Sequence, residues 1–317
     1  MNRRTVRPTL VVTAGDPRGI GPEILAPAAA RAREIDPDLD LVFVGPDGAL
    51  PPGETSFSVG PFDGSQASAG RTSALALERA AQMCLANEAL GVVTGPVHKP
   101  ALHEAGWRVP GQTELFQQLA AASEVGMVMC AERTELGGPL RVLLATTHVP
   151  LSRVSTLLDS RMLTDKTSLL DEALRLDWGL SQPRIALCAF NPHASDGGLF
   201  GDEEARIYAP ALSTLQERGL TVTGPIPADT VFRRTLDGEF DAVVAPYHDV
   251  GMAAFKTVSF GGGVNVSIGL PFIRTSPDHG TAFDIAGSGS ADPSSMTEAI
   301  LLAARLARSR AEGAHVE

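Results

Sequence analysis

The stretch "DAVVAPYHDVG", residues 241–251, opens with a short apolar run suited to a buried strand and then stops on Tyr247, His248 and Asp249. Two other stretches behave alike: "RVLLATTHVP" (141–150) ends on His148, and "RIALCAFNPHASDGG" (184–198) ends on His193. Apolar runs of the same kind recur in "TLVVTAG", "LDLVFVG", "ALGVVTGPV", "VGMVMCA" and "GVNVSIGL". Ala/Leu/Glu-rich helical stretches separate them, among them "TSALALERAAQMCLA", "TELFQQLAAA", "LTDKTSLLDEALRL" and "ARIYAPALSTLQERG". Such alternation predicts an α/β fold with a mainly parallel sheet and helices on its faces. Ligands in these folds sit beyond the carboxyl ends of strands, and every unusual motif of this chain falls at such an end.

With 317 residues the chain can build two lobes or one large α/β domain. Its 44% hydrophobic and 20% charged content is that of a soluble globular protein. A net charge of −11 argues against a nucleic-acid or anionic-membrane partner. No apolar run is long enough to span a bilayer, and the basic start "MNRRTVRPTLVVTAG" passes straight into a strand with no signal-peptide core. Cys84, Cys130 and Cys188 stand singly in apolar surroundings, which predicts buried thiols in a reducing cytoplasm. Only three of the 26 basic residues are lysines, namely Lys99, Lys166 and Lys256. Where arginine serves as the default cation, a retained lysine hints at a need for a compact ammonium. The Pro/Gly-rich segment 45–70 reads as an excursion loop, and the tail after residue 303 as the end of a final helix with frayed residues.

His148, His193 and His248 lie too far apart in sequence for a compact metal motif. Each ends a predicted buried strand and enters a loop containing Gly, Pro or Asp. Three neutral imidazoles with open positions form a catalytic metal arrangement; hydrogen-bonded loop histidines are the plain alternative. "TAGDPRGIGPEI" (13–24) follows the first strand and opens a helix whose free N–H groups suit an anion, without the GxGxxG spacing of a dinucleotide loop. "VTGPVHKPAL" (93–102) and "PGQTEL" (110–115) supply Lys99, Gln112 and Thr113. Thr113 reads either as a helix N-cap or as a donor to a substrate phosphate or carboxylate. Arg274 follows the apolar "GLPFI" and wants an anionic partner, from protein or ligand. The long glycine-bearing loop "DHGTAFDIAGSG" carries His279 and Asp284 ahead of the final helix, and loops of that length usually serve a function.

Taken together these stretches resemble the 4-hydroxythreonine-4-phosphate dehydrogenase family of vitamin B6 biosynthesis. The resemblance runs nearly end to end, through GDPRGIGPE (15–23), TGPVHK (94–99), PGQTE (110–114), TTHVPL (146–151), NPHASDGGLFGDEE (191–204), GPIPADT (224–230), PYHDVG (246–251) and GLPFIRTSPDHGTAFDIAG (269–287). It implies a two-lobed α/β/α subunit akin to isopropylmalate and isocitrate dehydrogenases, with the active site in the cleft between lobes. Residues 1–120 plus 265–317 would form lobe one, and 121–264 lobe two, with the dimer contacts and metal ligands. The resemblance further implies a homodimer whose divalent metal (Zn, Mg or Co) is held by His148 and His193 of one subunit and His248 of the other. Substrate contacts carry over to Gln112, Thr113, Lys256, Asn265 and Arg274, and candidate catalytic groups are Lys256, Asp249 and Asp229. The 278–292 loop looks like the adenosine-binding loop of isopropylmalate dehydrogenases, so His279, Gly280, Thr281 and Asp292 are the expected contacts of NAD or NADP.

The implied reaction oxidises 4-hydroxy-L-threonine 4-phosphate to a 3-oxo acid that decarboxylates. One position departs from the family pattern. The family reads Pro-Gly-His-Thr-Glu where this chain has Pro110-Gly111-Gln112-Thr113-Glu114, and glutamine neither titrates nor carries charge near neutral pH. A related dehydrogenase acting on D-threonate or D-erythronate 4-phosphate is therefore the first alternative. More distant are a metal-dependent hydrolase using the three histidines, which would have no reason to carry the 278–292 loop, and a catalytically silent binding protein.

Overall fold

A computed structural model describes residues 7–259 and 261–313. The first six residues and the end of the tail, both read from sequence, lie outside the described residues. The chain divides into two compact units, one of residues 1–125 with 264–317 and one of residues 126–263.

The first unit carries strands β1 (Thr9–Thr13), β2 (Asp40–Gly45), β3 (Ser56–Ser58), β4 (Gly91–Thr94), β10 (Val264–Ile268) and β11 (Ile273–Pro277). Its helices are α1 (Gly21–Ile35), α2 (Gln66–Leu85), α3 (Lys99–Glu104), α4 (Gln112–Leu119) and α10 (Ser294–Gly313). The strands lie in the order β3-β2-β1-β4-β11-β10, parallel except for the β10–β11 pair. Chain order reverses at β1, whose neighbours are β2 and β4, so the loops leaving β1 and β4 flank the position where open α/β sheets bind ligands. The sheet is buried on both faces, with Val11, Val42, Leu77, Phe116 and Phe272 in one shared core cluster. That double burial explains why β1, β2 and β4 read as continuous apolar runs.

The second unit carries β5 (Gly126–Ala131), β6 (Leu140–Leu144), β7 (Arg184–Cys188), β8 (Thr221–Ile226) and β9 (Ala242–Ala245), in the order β5-β6-β9-β7-β8. β6, β9, β7 and β8 are mutually parallel, and β5 pairs antiparallel with β6. Its helices are α5 (Leu151–Leu157), α6 (Ser160–Leu176), α7 (Ala209–Glu217), α8 (Ala228–Leu236) and α9 (His248–Val258). Val231, Phe232 and Leu236 of α8 and Phe255 of α9 pack against Val142, Leu144, Ala186 and Val243 of the sheet. The three cysteines are buried and form no disulfide, and burial pushes Cys84 and Cys188 up to about 12. No helix among the described residues is long and apolar enough to cross a membrane.

The mainly parallel α/β architecture matches the sequence expectation, with three strands added. β3 falls inside the segment read as an excursion loop. β8 mixes Thr, Gly and Pro and buries little of its length, so it lacks an apolar signature. β11 buries Arg274, Thr275 and Ser276 in mid-sheet, against the usual composition of an interior strand. The helix read from residue 72 begins at Gln66, where the Ser65 side chain accepts from the Ser68 N–H at 3.1 Å. Gly70, which weighed toward a loop, lies within α2 because α3 presses on it: a Cβ there would stand 1.9 Å from the Ala101 carbonyl oxygen.

Gly70→Ala should therefore force α2 and α3 apart. The expected loss is about 1–3 kcal/mol of unfolding free energy in urea titrations, whereas an unstrained Gly→Ala helix change would stabilise.

Candidate active site

The second unit explains where two of its strand-ending histidines go. β6 and β9 pair in register, Leu144 opposite Ala245, and their exits stay tied by Ala145 N–H to the Ala245 carbonyl (2.9 Å) and Thr146 Oγ1 to the Pro246 carbonyl (2.8 Å). The chains leave the sheet side by side, bringing the rings of His148 and His248 to 5.5 Å between centroids. These rings, with Thr147, Leu151, Val154, Tyr247 and Asp249, line a hollow of about 130 Å³. His248 Nδ1 lies 2.7 Å from Asp249 Oδ1. A carboxylate there accepts a hydrogen bond from Nδ1–H and leaves Nε2 with its lone pair free, the usual orientation of a metal-binding imidazole. Two imidazoles at this separation can reach one ion, and nitrogen donors suit Zn²⁺ or Co²⁺ better than Mg²⁺. The sequence expectation set His148 beside a second copy's His248; here the two rings of one chain meet.

His193 takes another course. β7 borders β9 on the side away from β6, and its exit leans toward β8 through the Ala189 N–H bond to the Ile226 carbonyl (2.8 Å). His193 is exposed, with Phe200 6.5 Å from its ring. Among the described residues, no group of three or more His, Cys, Asp or Glu side chains gathers to hold an ion. The backbone at His193 is unusual: His193, Ala194, Ser195 and Asp196 have φ of 54°, 54°, 68° and 43°, four consecutive non-glycine residues in the left-handed region. Such a run costs roughly 1–2 kcal/mol per residue, and strain of this sort concentrates at functional sites.

Buried Glu204 closes that run. Its Oε1 accepts the backbone N–H groups of Phe190 (3.0 Å) and Asn191 (2.7 Å), and its Oε2 accepts Asn191 Nδ2 (2.9 Å) and the Ser195 hydroxyl. Burial raises the Glu204 pKa, but the Ser195 and Asn191 hydrogen bonds outweigh it and hold the carboxyl below its ordinary value. Sequence reading reached Asn191 and His193 and missed Ser195 and Glu204, which look like ordinary loop residues.

In the first unit the centre is Arg274, 2% exposed on β11. Its guanidinium donates to Ser267 Oγ (3.0 Å), Thr94 Oγ1 (2.8 Å) and Gln112 Oε1 (3.3 Å), all neutral acceptors, and its Nε has no partner. Buried Arg141, by contrast, is held by Glu132 at 2.7 and 2.8 Å. Burial pulls the Arg274 pKa down to about 10, with Glu114 acting the other way. A buried cation with no hydrogen-bonded carboxylate is chemically suited to receive an anion. Gln112 Nε2 donates to the Gly95 carbonyl at 3.1 Å, so both ends of its amide are engaged. Thr113, weighed as a helix cap, lies inside the first turn of α4 with Gly111 at the cap, and its hydroxyl meets Ser267 Oγ at 3.0 Å. Asn265 Oδ1 is buried without a partner. Thr94 and Ser267 were missed because single hydroxyls in apolar strands carry no pattern.

The 278–292 loop is also in the first unit, fastened to the loop after β1. Ile20 N–H donates to the Thr281 carbonyl at 3.0 Å, and Gly19 admits that approach, since a Cβ there would lie 2.6 Å from the same oxygen. Arg18, paired with buried Asp16 at 2.8 Å, sits 5.1 Å over the Phe283 ring, and His98 meets that ring edge-on at 5.2 Å. His279 gives Nδ1 to the Gly280 carbonyl region (3.0 Å) and buries Nε2 without a partner. Gly280 and Asp292 are exposed, and Asp292 accepts from Ser294 at the start of α10. Of the remaining candidates, Lys99, Lys256, Asp229 and Asp284 are exposed.

A family model described as "Pyridoxal phosphate biosynthetic protein PdxA" matches residues 39–303. The 4-hydroxythreonine-4-phosphate dehydrogenase of Azoarcus sp. is 40% identical, covering 96% of this chain and 98% of that protein. The enzyme of the same name from Paracoccus denitrificans is 37% identical, covering 95% and 98%. Among solved structures, the Klebsiella pneumoniae 4-hydroxythreonine-4-phosphate dehydrogenase superposes with a TM-score of 0.83 at 36% identity, covering 95% of this chain and 99% of that one.

If Arg274 waits for an anion, Arg274→Met should leave the ligand-free protein as stable or more so, by up to about 1–4 kcal/mol, since a buried uncompensated charge is removed. Inorganic phosphate should raise the melting temperature of the wild type and leave that of the variant unmoved.

Proposed function

The chain belongs to the PdxA family of pyridoxal phosphate biosynthetic proteins, and from that premise we propose that it is a 4-hydroxythreonine-4-phosphate dehydrogenase. It oxidises the C3 hydroxyl of 4-hydroxy-L-threonine 4-phosphate with NAD or NADP, and the resulting 3-oxo acid loses CO₂ to give 3-amino-2-oxopropyl phosphate. The observation that carries this reading is Arg274, a buried guanidinium bonded only to neutral side chains. A phosphorylated acid supplies the negative charge it lacks.

Each expected residue has a role consistent with its surroundings. Arg274, with Gln112, Thr113 and Asn265 beside or near it, binds the anionic ends of the substrate, and Lys256 adds a cation. The unpartnered Asn265 Oδ1 is a ready acceptor for a substrate hydroxyl or ammonium. His148, His193 and His248 hold a divalent ion, Zn²⁺ or Co²⁺ by donor type. Asp249 acts through His248 by fixing its tautomer. His279, Gly280, Thr281 and Asp292 bind the dinucleotide, for which the unpartnered His279 Nε2 offers a contact. When bound, the ion would lower the pKa of the substrate C3 hydroxyl, and the nicotinamide would accept the hydride from C3. Asp229 and Lys256 are the candidate proton carriers. We further propose a cytoplasmic homodimer in which His193 and His248 of one ion site come from different copies, in keeping with the separate courses of β7 and β9 exits.

One residue favours a second reading. Gln112 stands where the family has histidine, and a phosphorylated sugar acid without an amino group (D-threonate or D-erythronate 4-phosphate) is the substrate that this change would suit.

Three measurements test these assignments. With NAD⁺ and Co²⁺, 4-hydroxythreonine 4-phosphate should produce absorbance at 340 nm that EDTA abolishes; turnover only of the sugar acid phosphates would establish the second reading. Mixing inactive His193→Ala and His248→Ala subunits should restore about a quarter of wild-type activity, because half of randomly paired dimers carry one intact site. No recovery after subunit exchange would mean that each chain builds its own site. Finally, Gln112→His should make KM fall as pH drops below about 6.5, where an imidazole gains charge to attract phosphate; the wild-type KM should lack that inflection.

A further inference from the structure

His193 reaches its place through an unfavourable backbone, four successive left-handed residues without a glycine. Such a run persists only where its surroundings over-determine it. The surroundings here converge on one side chain. Glu204 draws in the N–H groups of Phe190 and Asn191, the amide of Asn191 and the hydroxyl of Ser195, so its two oxygens grip the stretch on both sides of His193. Glu203 adds a second acceptor to Asn191 Nδ2 at 2.7 Å, and the Gly201 carbonyl lies 2.8 Å from Ser195 Oγ. Glu204 itself is fixed at the start of a turn whose Tyr208 is fully buried and donates its hydroxyl to the Cys188 carbonyl at 2.8 Å. Strand β7 thus begins and ends the loop from the same anchor.

We propose that Glu204 is the positioning residue for His193: its carboxylate holds residues 193–196 left-handed, and that conformation presents the imidazole as a metal donor. The inference rests on the reading of His193 as a metal ligand. Glu204 never meets the ion. It acts on the backbone, and the ion gains affinity because the donor is in place before binding.

Co²⁺ alone serves as the probe, its affinity read from visible absorption and from competition with a chelator, with circular dichroism and thermal melting run alongside. His193→Ala checks the underlying reading: unchanged Co²⁺ affinity would remove His193 from the ligand set. Glu204→Gln keeps the shape but loses the charge and turns one acceptor into a donor. In a folded protein it should weaken Co²⁺ binding by about tenfold to a hundredfold, as disrupted outer contacts of metal ligands do. Ala194→Gly, which makes φ of 54° easy, should recover part of that loss in the Glu204→Gln background and change little by itself. Should Glu204→Gln fail to fold, Ser195→Ala, which deletes one contact to the same carboxylate along with the bond to the Gly201 carbonyl, should weaken Co²⁺ binding severalfold. Wild-type affinity in folded Glu204→Gln or in Ser195→Ala, or no recovery from Ala194→Gly, would overturn the assignment while leaving the His193→Ala result standing.

Discussion

Parallel pairing is the constraint from which this chain's chemistry follows. Strands that run the same way end on the same edge, so residues far apart in sequence meet there without any local motif. β6 and β9 show it directly. Their register puts Leu144 opposite Ala245, two backbone and hydroxyl bonds keep the exits together, and the rings of His148 and His248 arrive side by side. In the first unit parallel register sets Arg274, within β11, opposite Val92 of β4, from where its guanidinium reaches Thr94 at the end of that strand. Outside β11, polar groups gather at strand ends because the strand bodies are committed to the core on both faces.

Both units carry strain that the fold alone does not require. Arg274 is buried among neutral acceptors while Arg141 and Arg308 have carboxylates, Glu132 and Asp36. Residues 193–196 hold a conformation that glycine would adopt more easily, with the glycines placed only afterwards at 197 and 198. In each case the protein is less comfortable than it could be, and under the function proposed above these are the places assigned to binding a phosphate and to presenting a metal donor. Such trade-offs between stability and function are common in enzymes.

How much of this was legible in the sequence depended on pattern length. β1, β2, β4, β6, β7 and β9 were visible as apolar runs because burial on both faces removes alternation. β11 was not, since its buried Arg274, Thr275 and Ser276 break the rule for interior strands. The histidines were legible as strand ends, and His148 beside His248 follows from strand adjacency, which sequence does not print. Glu204 and Ser195 were illegible because their role depends on a backbone turn of the wrong hand. Thr113 misled for a related reason: a threonine before a helix run reads as a cap, yet Gly111 holds the cap position of α4 and the threonine hydroxyl turns to Ser267.

The buried thiols complete the picture. Cys84 and Cys188, pushed up to about 12 by their apolar surroundings, hold almost no thiolate at neutral pH. Peroxide and alkylating agents attack sulfur as the anion, so neither cysteine offers them a foothold while the protein stays folded. An enzyme whose Cys84 and Cys188 thiols are sealed in this way loses nothing through them to oxidants that would silence a thiol-dependent catalyst.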